Sequence, residues 1–446
     1  MGMKALFFLR HYNDIDHITP VIYKWVDSGH TCDIVLIGRS RFRNDYRIEF
    51  LRKLNGVRMA YISDLLPRLE FARWFLQTLL LIRKVRRPYL ASITATLARF
   101  YDIRKRTPVW NSVAQRLLTR SFGDAREGAD EGVVVFDWIE RNSSICLEWV
   151  AVVLSMARVM GLGTVSLPHG DSPHASQLIR RGELRLEPDT TFANAGIFDR
   201  VVVPNELCSV RFRPFMDNRK LAVLGSPRYC DEWLAKLATL MPPSPLTRSG
   251  SRLKVVIFLR KSNFSTFWEE VGEVVRIVAS FPGVELMIKP HTRGGWQQSL
   301  TSDASLRRLP NVRVAGDIHS IHLLNWADVI IDLATSVVFE AVKAKKPVLA
   351  GDYLHAGRSA LAEYLPETEL RCRDDVYRQI EKFLTHGCDD FYIEAHHQRF
   401  VKEMIDAKDA DVLSRYVALL EEQGTPRSSQ EQSYLDEQRP VNLAFG

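Results

Sequence analysis

Residues 286–293 read LMIKPHTR, and residues 327–349 read ADVIIDLATSVVFEAVKAKKPVL. Three short apolar runs in this part of the chain, 286–288, 329–331 and 347–349, each pass directly into polar or small residues, with helix-like segments between them. Apolar strands that alternate with helices are typical of a parallel sheet covered by helices on both faces. The pattern therefore predicts a doubly wound α/β domain, whose ligand binds beyond the carboxyl ends of its strands.

The same alternation fills the first half of the chain. Six strand-like runs occur there: 4–9, 32–37, 132–138, 163–167, 199–205 and 221–224. The sequence thus predicts two Rossmann-like doubly wound domains in series, facing across a cleft. The predicted division is a first domain at 1–239 with a basic helical insertion at about 65–120, a Pro- and Ser-rich linker at 240–251, a second domain at 252–385, C-terminal helices at 386–423 and a polar tail at 424–446.

The overall composition of the 446 residues is that of a globular protein, with 46% apolar and 25% charged residues. The net charge of +7 suits anionic ligands or an anionic membrane surface and does not by itself indicate nucleic acid. Six scattered cysteines without a CxxC pair exclude a zinc ribbon and favour a reducing compartment. We read neither a signal peptide, which would be a basic leader before a long apolar run, nor a membrane-spanning helix in the sequence. We therefore expect a cytoplasmic protein.

Residues 71–87, FARWFLQTLLLIRKVRR, combine large apolar side chains with a basic end. One interpretation is peripheral contact with the inner face of a membrane, with the apolar face among the headgroups and the cations on anionic lipid. The other is a core-packed helix whose basic end is solvated and complements the helix dipole.

Neither a G-x-G-x-x-G after the first strand nor a P-loop is present, so two common nucleotide motifs are excluded. Asp14-Ile15-Asp16 has the form of a metal-binding DxD, but a pair of acids at a helix start is the simpler interpretation.

Basic side chains follow the strand at 286–288. Lys289 and His291 flank Pro290, and the fixed φ angle of proline restricts the directions in which the two side chains can point. Together they suit phosphoryl oxygens, whereas a solvated basic turn is the alternative.

Hydroxyl and acidic side chains follow the strand at 329–331. Thr335 or Ser336 stands where a helix should begin, and the free N–H groups of a helix start favour an anion. Glu340 is four residues past Ser336, one too many for a capping box. We expect it to accept hydrogen bonds from ribose hydroxyls; an exposed ion pair with Lys343 is the alternative.

His169 follows the strand at 163–167, and Gly170 allows a substrate to approach closely. A neutral imidazole in a cleft can take a proton from an attacking hydroxyl, and Asp171 or another carboxylate could orient the ring. A histidine satisfied by backbone in a turn is the alternative. The basic loop in the other half of the chain favours the catalytic interpretation.

Four segments occur in a fixed order: SLPHGD at 166–171, LGSPRY at 224–229, IKPHTR at 288–293 and the stretch at 327–349. Together they resemble the capsule-polysaccharide and CDP-glycerol glycerophosphotransferase-like transferases of bacterial cell-surface synthesis, which have the GT-B fold. This resemblance spans residues 163–352.

The resemblance implies an acceptor-binding first domain, with His169 as the base, and a donor-binding second domain. The predicted donor-binding residues are Arg228, Arg260, Lys289, His291, Thr335, Ser336 and Glu340. No metal and no cofactor are expected, because cationic side chains and a helix N-terminus can neutralise a departing phosphate.

The expected function is that of a GT-B glycosyltransferase or polyol-phosphate transferase in surface-polysaccharide synthesis. Its partners would be a CMP-, CDP- or UDP-activated donor and a glycan or lipid-linked acceptor, and not nucleic acid. A UDP-sugar 2-epimerase-like isomerase is the alternative within the same fold, and it would need no acceptor. A non-catalytic nucleotide-sugar-binding protein is the third hypothesis, and it would show no turnover with any acceptor.

Overall fold

The computed structural model describes residues 2–37, 42, 44–81, 107–123, 131–139, 147–170, 192–247, 250–260, 265–291, 306–357 and 359–425. Within these residues the fold is built on two parallel β-sheets, one of seven strands and one of five. The predicted architecture of two parallel-sheet α/β domains is therefore confirmed.

The first sheet has the strand order β3-β2-β1-β4-β5-β6-β7, and all of its pairs are parallel. Its strands are β1 Lys4–Leu9, β2 Thr31–Leu36, β3 Val57–Tyr61, β4 Gly132–Asp137, β5 Gly163–Leu167, β6 Arg200–Val203 and β7 Leu221–Val223. The order reverses between β1 and β4, where Lys4 lies opposite Thr31 on one side and Gly132 on the other. Such a reversal leaves a crevice at the carboxyl ends of the two strands.

The second sheet has the order β10-β9-β8-β11-β12, again with parallel pairs throughout. Its strands are β8 Leu253–Phe258, β9 Val284–Lys289, β10 Val312–Val314, β11 Val329–Asp332 and β12 Val348–Ala350. Here the order reverses between β8 and β11.

Helices cover both faces of each sheet. In the first domain they are α1 Tyr12–Asp27, α2 Tyr46–Lys53, α3 Ile62–Leu65, α4 Arg68–Leu81, α5 Thr107–Phe122, α6 Leu147–Val159, α7 Glu206–Ser209 and α8 Asp231–Leu240. After β8 they are α9 Trp268–Ser280, α10 Ser320–Trp326, α11 Val337–Lys343, α12 Leu361–Tyr364, α13 Arg373–His386, α14 Glu394–Phe400 and α15 Val412–Gly424. Short 3-10 turns lie at Ala195–Ile197, Arg213–Phe215, Asn218–Lys220, Leu306–Arg308, Asp352–Leu354 and Pro366–Thr368.

Each sheet separates two apolar cores because successive side chains of a strand point to opposite faces. In β1, Leu6 and Phe8 enter one core, whereas Phe7 and Leu9 enter the other. The second sheet divides the side chains of β8 in the same way. Burial on both faces explains why the strands read as continuous apolar runs.

Two strands were not predicted from the sequence, β3 and β10. Both are edge strands, and each carries an arginine, Arg58 or Arg313, in place of a continuous apolar run. Charged side chains are common on edge strands because one side of such a strand lacks a neighbour. In the segment predicted as C-terminal helices, 386–423, the structure has α14, a π-helical turn at Val401–Asp406, and α15.

The C-terminal helix α15 packs on the first sheet although the chain before it lies on the second domain. Leu413, Tyr416 and Leu420 are fully buried in the core that also holds Phe7. The Tyr416 hydroxyl donates to the carbonyl of Gly225 at 2.8 Å. The C-terminal part of the chain therefore ties the two domains together.

No helix in the described ranges is long and apolar enough to span a bilayer. Of the predicted membrane segment 71–87, residues 71–81 belong to α4 and residues 82–87 lie outside the described residues. Trp74 is buried, whereas Phe75 and Leu76 are each about half exposed, at 50% and 49%.

Candidate active site

Residues at the carboxyl ends of strands from both sheets form the candidate site. Asp137 ends β4, and His169 stands two residues after β5. In the second sheet Lys289 ends β9 and Asp332 ends β11. Because parallel strands all end at one edge of a sheet, side chains at the strand ends of the same sheet lie near one another without being neighbours in sequence.

His169 is held by a carboxylate of the neighbouring strand. Its Nδ1 lies 3.1 Å from Oδ2 of Asp137, and the His169 side chain is 18% exposed. The indole of Trp138 stacks beside the imidazole with ring centres 6.1 Å apart. An ionised carboxylate only accepts hydrogen bonds, so Nδ1 must donate, and Nε2 is then the nitrogen that can take a proton.

The Asp137 carboxylate is kept ionised by Arg10. Nε and Nη2 of Arg10 donate to its two oxygens at 2.6 and 2.5 Å, and Nη2 also donates to the carbonyl of Trp138 at 3.0 Å. Burial alone would raise the pKa of Asp137, but the charge of Arg10 and the hydrogen bond with His169 outweigh it and hold this pKa well below its usual range.

Asp14 completes the cluster beneath His169. Its Oδ2 accepts from the backbone N–H groups of Arg10 and His11 at 2.8 and 2.9 Å, and its Oδ1 lies 3.9 Å from Nδ1 of His169. Burial, with the nearby charge of Asp137, raises the pKa of Asp14 to about 7. Asp14 is therefore held in its protonated form more readily than an exposed aspartate.

The ligand atoms of Asp14, Asp137 and His169 lie within 4.8 Å of one another, a spacing that could suit a metal ion. A cation there would face the Arg10 guanidinium, which already bonds both oxygens of Asp137. This chemistry favours a base held by a carboxylate over a metal centre.

The carboxylate that contacts His169 in the structure is Asp137; the predicted Asp171 lies outside the described residues. Neither Asp137 nor Arg10 was selected from the sequence. The available signal was that Asp137 ends the apolar run GVVVFD, and the same criterion had selected His169.

The Lys289 ammonium donates to the carbonyl of Gly316 at 2.8 Å. Burial lowers the pKa of Lys289, with the charge of Asp317 opposing this effect. His291, two residues past the end of β9, is half-buried. Lys289 thus contacts the loop that leads from β10 to α10.

The loop after β11 is built around the carboxylate of Asp332. The backbone N–H and the hydroxyl of Thr335 donate to it at 2.9 and 2.5 Å. Ser336 precedes α11, but its side chain makes no capping hydrogen bond. Burial raises the pKa of Asp332 to about 7, although the bonds from Thr335 oppose this shift. The Thr335 hydroxyl is therefore directed at Asp332.

Ala334, within this loop, has a φ of +57°, a left-handed conformation that is costly for a residue with a Cβ. Ala334→Gly should therefore raise the free energy of unfolding by about 0.5–1 kcal/mol, measured by urea denaturation. The matched control is Ala341→Gly inside α11, which should lower it by about 1 kcal/mol. Equal losses in the two variants would show that the loop at Ala334 is not strained.

Arg228, Ser336 and Glu340 meet at the junction of the domains. The hydroxyl of Tyr229, next to Arg228, donates to the carbonyl of Ser336 at 2.8 Å. Burial raises the pKa of Glu340 to about 7, while the charge of Arg228 opposes the shift. The alternative partner Lys343 pairs instead with Asp406, at 2.9 Å.

Arg260 is buried on the other side of the β11 loop. Burial lowers its pKa to about 10, and the charges of Asp332 and Asp352 oppose this effect. The predicted donor-binding residues therefore fall into groups: Arg228 with Ser336 and Glu340, Thr335 and Arg260 beside Asp332, and Lys289 near Gly316.

His17 in α1 links the base to the domain junction. Its ring lies edge-on to Tyr229 with centres 6.3 Å apart. Burial, and then the positive charge of Arg228 and the nearby His169, hold the pKa of His17 well below its usual range. His17 is therefore neutral, and the charges of both Arg228 and His169 act on it.

Solved structures of nucleotide-sugar enzymes share this architecture. A UDP-GlcNAc 2-epimerase from Neisseria meningitidis, bound to UDP-GlcNAc, is 12% identical with a TM-score of 0.54, and the match covers 94% of this chain and 99% of that one. A UDP-N-acetylglucosamine 2-epimerase from Rickettsia bellii is 11% identical with a TM-score of 0.54, covering 98% of both chains. A glycosyltransferase from Rickettsia africae is 11% identical with a TM-score of 0.51, covering 96% of this chain and all of the other.

The chain has a GT-B-type fold. No protein-family model and no curated protein matches the sequence. The similarity thus supports the fold that the resemblance implied, and it does not single out the capsule or CDP-glycerol transferases.

Proposed function

We propose that this protein is an enzyme that moves a sugar or polyol-phosphate unit from a nucleotide-activated donor to a hydroxyl acceptor. The observation that carries the proposal is the contact between His169 and Asp137, at 3.1 Å, at the carboxyl ends of β4 and β5. A neutral imidazole oriented by a buried carboxylate is the arrangement that general base catalysis needs.

In the proposed reaction, Nε2 of His169 takes the proton of the acceptor hydroxyl as its oxygen bonds to the donor carbon. The bond between that carbon and the donor phosphate breaks, and its electron pair stays on the phosphate oxygen. Asp137 stabilises the imidazolium that forms. If a polyol phosphate moves instead, the acceptor oxygen attacks phosphorus and the nucleotide phosphate leaves.

In this proposal, side chains of the second domain and the junction stabilise the negative charge of the departing phosphate. We assign this role to Arg228, Arg260, Lys289, His291, Thr335 and Ser336. Glu340 would bind the ribose, for which its position beside Arg228 is suitable. Cationic side chains can stabilise such a leaving group without a metal ion, so we propose metal-independent chemistry.

The family resemblance extends the proposal to the biological substrate. Surface-polysaccharide synthesis would provide a glycan or lipid-linked acceptor, and a CMP-, CDP- or UDP-linked unit would be the donor.

The exposed Phe75 and Leu76 of α4 support a peripheral contact with the inner face of a membrane. Phe75→Ser with Leu76→Ser should weaken sedimentation with anionic vesicles, and unchanged sedimentation would remove the membrane contact.

Isomerisation of a nucleotide sugar is the second candidate function. The observation that favours it is Asp14, whose pKa is raised to about 7 and whose Oδ1 is 3.9 Å from His169. An isomerase needs one group that removes a proton and another that returns it, and this pair could fill both roles. The 2-epimerases of the same fold show that this scaffold also accommodates such enzymes.

Two measurements test the proposal. Thermal unfolding is followed with UDP, CDP, CMP and GDP, because a ligand at about 100 times its Kd stabilises the folded state by roughly 2.7 kcal/mol. Proton NMR then follows UDP-GlcNAc, and the CMP- and CDP-linked donors, with and without a pool of hydroxyl acceptors.

Donor consumption that requires acceptor supports transfer, whereas new sugar signals from donor alone support isomerisation. Stabilisation by a nucleotide without any turnover would indicate the binding protein. If no nucleotide stabilises the protein and no donor is consumed, the proposed function is wrong.

A further inference from the structure

Asp16 lies between two arginine side chains at the edge of the cleft. Its Oδ2 is 3.2 Å from Nη1 of Arg228, and its Oδ1 bonds Nη1 of Arg47. The three residues follow β1, β7 and β2 respectively, so all stand at the carboxyl end of the first sheet. The side chains of Asp16 and Arg228 are each 23% exposed, which gives solutes access to the contact.

Arg47 is fixed in place independently of Asp16. Its Nε and Nη2 donate to the Asp45 carboxylate at 2.9 and 2.5 Å, and Asp45 also caps α2 by accepting from the Arg47 backbone N–H at 3.0 Å. With these groups engaged, Nη1 is the part of the guanidinium directed at Asp16. The donor geometry is therefore set before any ligand arrives.

Residues of the second domain lie next to Asp16 and the two arginines. The ring of His319, at the start of α10, lies edge-on to Tyr46 with centres 5.9 Å apart. Burial, and then the charges of Arg47 and Arg228 against the attraction of Asp16, lower the pKa of His319 to about 4. Glu340 is also within electrostatic reach of Arg228 and Asp16. The arginine pair is thus near His319, and Arg228 is near Glu340, one of the residues assigned to donor binding.

We infer that Arg47 and Arg228 form an oxyanion site for a phosphate of the donor, and that Asp16 occupies this site until the phosphate displaces it. Guanidinium groups bind carboxylate and phosphate with the same donor geometry, so one can replace the other. The inference rests on the proposed function for the identity of the donor. It adds Arg47 as a contact and Asp16 as a competitor for both arginines.

Charge balance gives the direction of the expected effect. In the resting arrangement, Asp16 and Asp45 together match the positive charges of Arg47 and Arg228. A phosphate that enters must replace the bonds of Asp16 and meets the repulsion of its carboxylate. Removing that charge while keeping the side-chain shape should therefore tighten phosphate binding.

The test is Asp16→Asn in the full-length protein, titrated calorimetrically with inorganic pyrophosphate and with UDP. Affinity should rise roughly three- to thirty-fold, as expected from loss of one repulsion near a partly exposed site. The double variant Asp16→Asn with Arg228→Gln should lose this gain. Asp231→Asn is the charge control, because the Asp231 side chain is 67% exposed and pairs with Lys343.

An Asp16→Asn protein with unchanged or weaker affinity for pyrophosphate would overturn the inference and show that Asp16 only supports the fold. If this variant is unstable, Arg228→Gln alone must weaken pyrophosphate binding at least threefold, and an unchanged affinity overturns the inference equally. The two proposals can fail separately. If the wild type turns over donors but Asp16→Asn leaves the pyrophosphate affinity unchanged, only the inference is wrong. If Asp16→Asn tightens pyrophosphate binding but the wild type consumes no donor, only the proposed function is wrong.

Discussion

Replacing His169 with alanine is expected to lower the rate of donor consumption roughly 10²–10⁴-fold, the usual contribution of a positioned general base. The expectation follows from the geometry, since the ring is held by Asp137 at 3.1 Å and its side chain remains 18% exposed. The affinity for the donor nucleotide should change little, because the side chains proposed to bind its phosphates belong to other loops. The rate is measured by proton NMR with the donor that the protein consumes.

The Asp137→Asn variant tests whether the Asp137 carboxylate is needed to hold His169 in the tautomer that can act as a base. An amide NH₂ facing Nδ1 would favour the other tautomer, with the proton on Nε2, so the rate should fall while donor affinity is retained. His396→Ala is the matched control: His396 is also paired with a carboxylate, Glu367 at 3.0 Å, but lies on α14. The His396→Ala protein should consume the donor at the same rate as the wild type. Full activity of a folded His169→Ala protein would show that His169 is not the general base.

Arg10→Met should lower the free energy of unfolding by about 3–5 kcal/mol, because it leaves the Asp137 carboxylate buried without its cation. Arg10 is 2% exposed and Asp137 is fully buried. The matched control is Arg58→Met, which removes another two-bond contact between an arginine and an aspartate, with Asp33 at 2.7 Å for both bonds. The Arg58 side chain is 63% exposed, so its loss should cost less than about 1 kcal/mol.

The loss in Arg10→Met should also depend on pH. In the wild type the lowered pKa of Asp137 means that its ionised form stabilises the fold above about pH 4, the pKa of an unfolded aspartate, and this contribution is lost as the pH falls through the folded-state value. Without Arg10, Asp137 can take up a proton at higher pH. The difference between the two proteins should therefore be largest at pH 7 and smaller near pH 4. Urea denaturation at both pH values measures it, and a pH-independent difference would contradict this account.

Most of the fold was predictable because the strands are buried on both faces. Runs such as KALFFL and KVVIF have no alternation, and that pattern is specific to central strands of a covered parallel sheet. The edge strands β3 and β10 were missed because they do not share this burial, and their arginines interrupt the apolar pattern. The position of α15 was also not predictable, since an amphipathic helix shows that it packs but not on which sheet.

The candidate site was predictable only in part. His169, Lys289 and Arg228 were selected because each stands at or shortly after the end of a strand, and strand ends are where such sheets bind ligands. Arg10 and Asp14 follow β1, whereas Asp137 ends β4 more than 100 residues later, and only the pairing of β1 with β4 brings them together. Asp16 and Arg47 likewise meet only because β1 and β2 lie side by side.

The sequence by itself determined the two parallel-sheet domains and the set of strand ends at which polar side chains emerge, because burial and helix periodicity are local patterns. Only the tertiary structure decided which carboxylate holds His169 and which arginines surround Asp16. Those choices depend on the order of the strands within each sheet, and strand order is fixed by packing between segments that are distant along the chain.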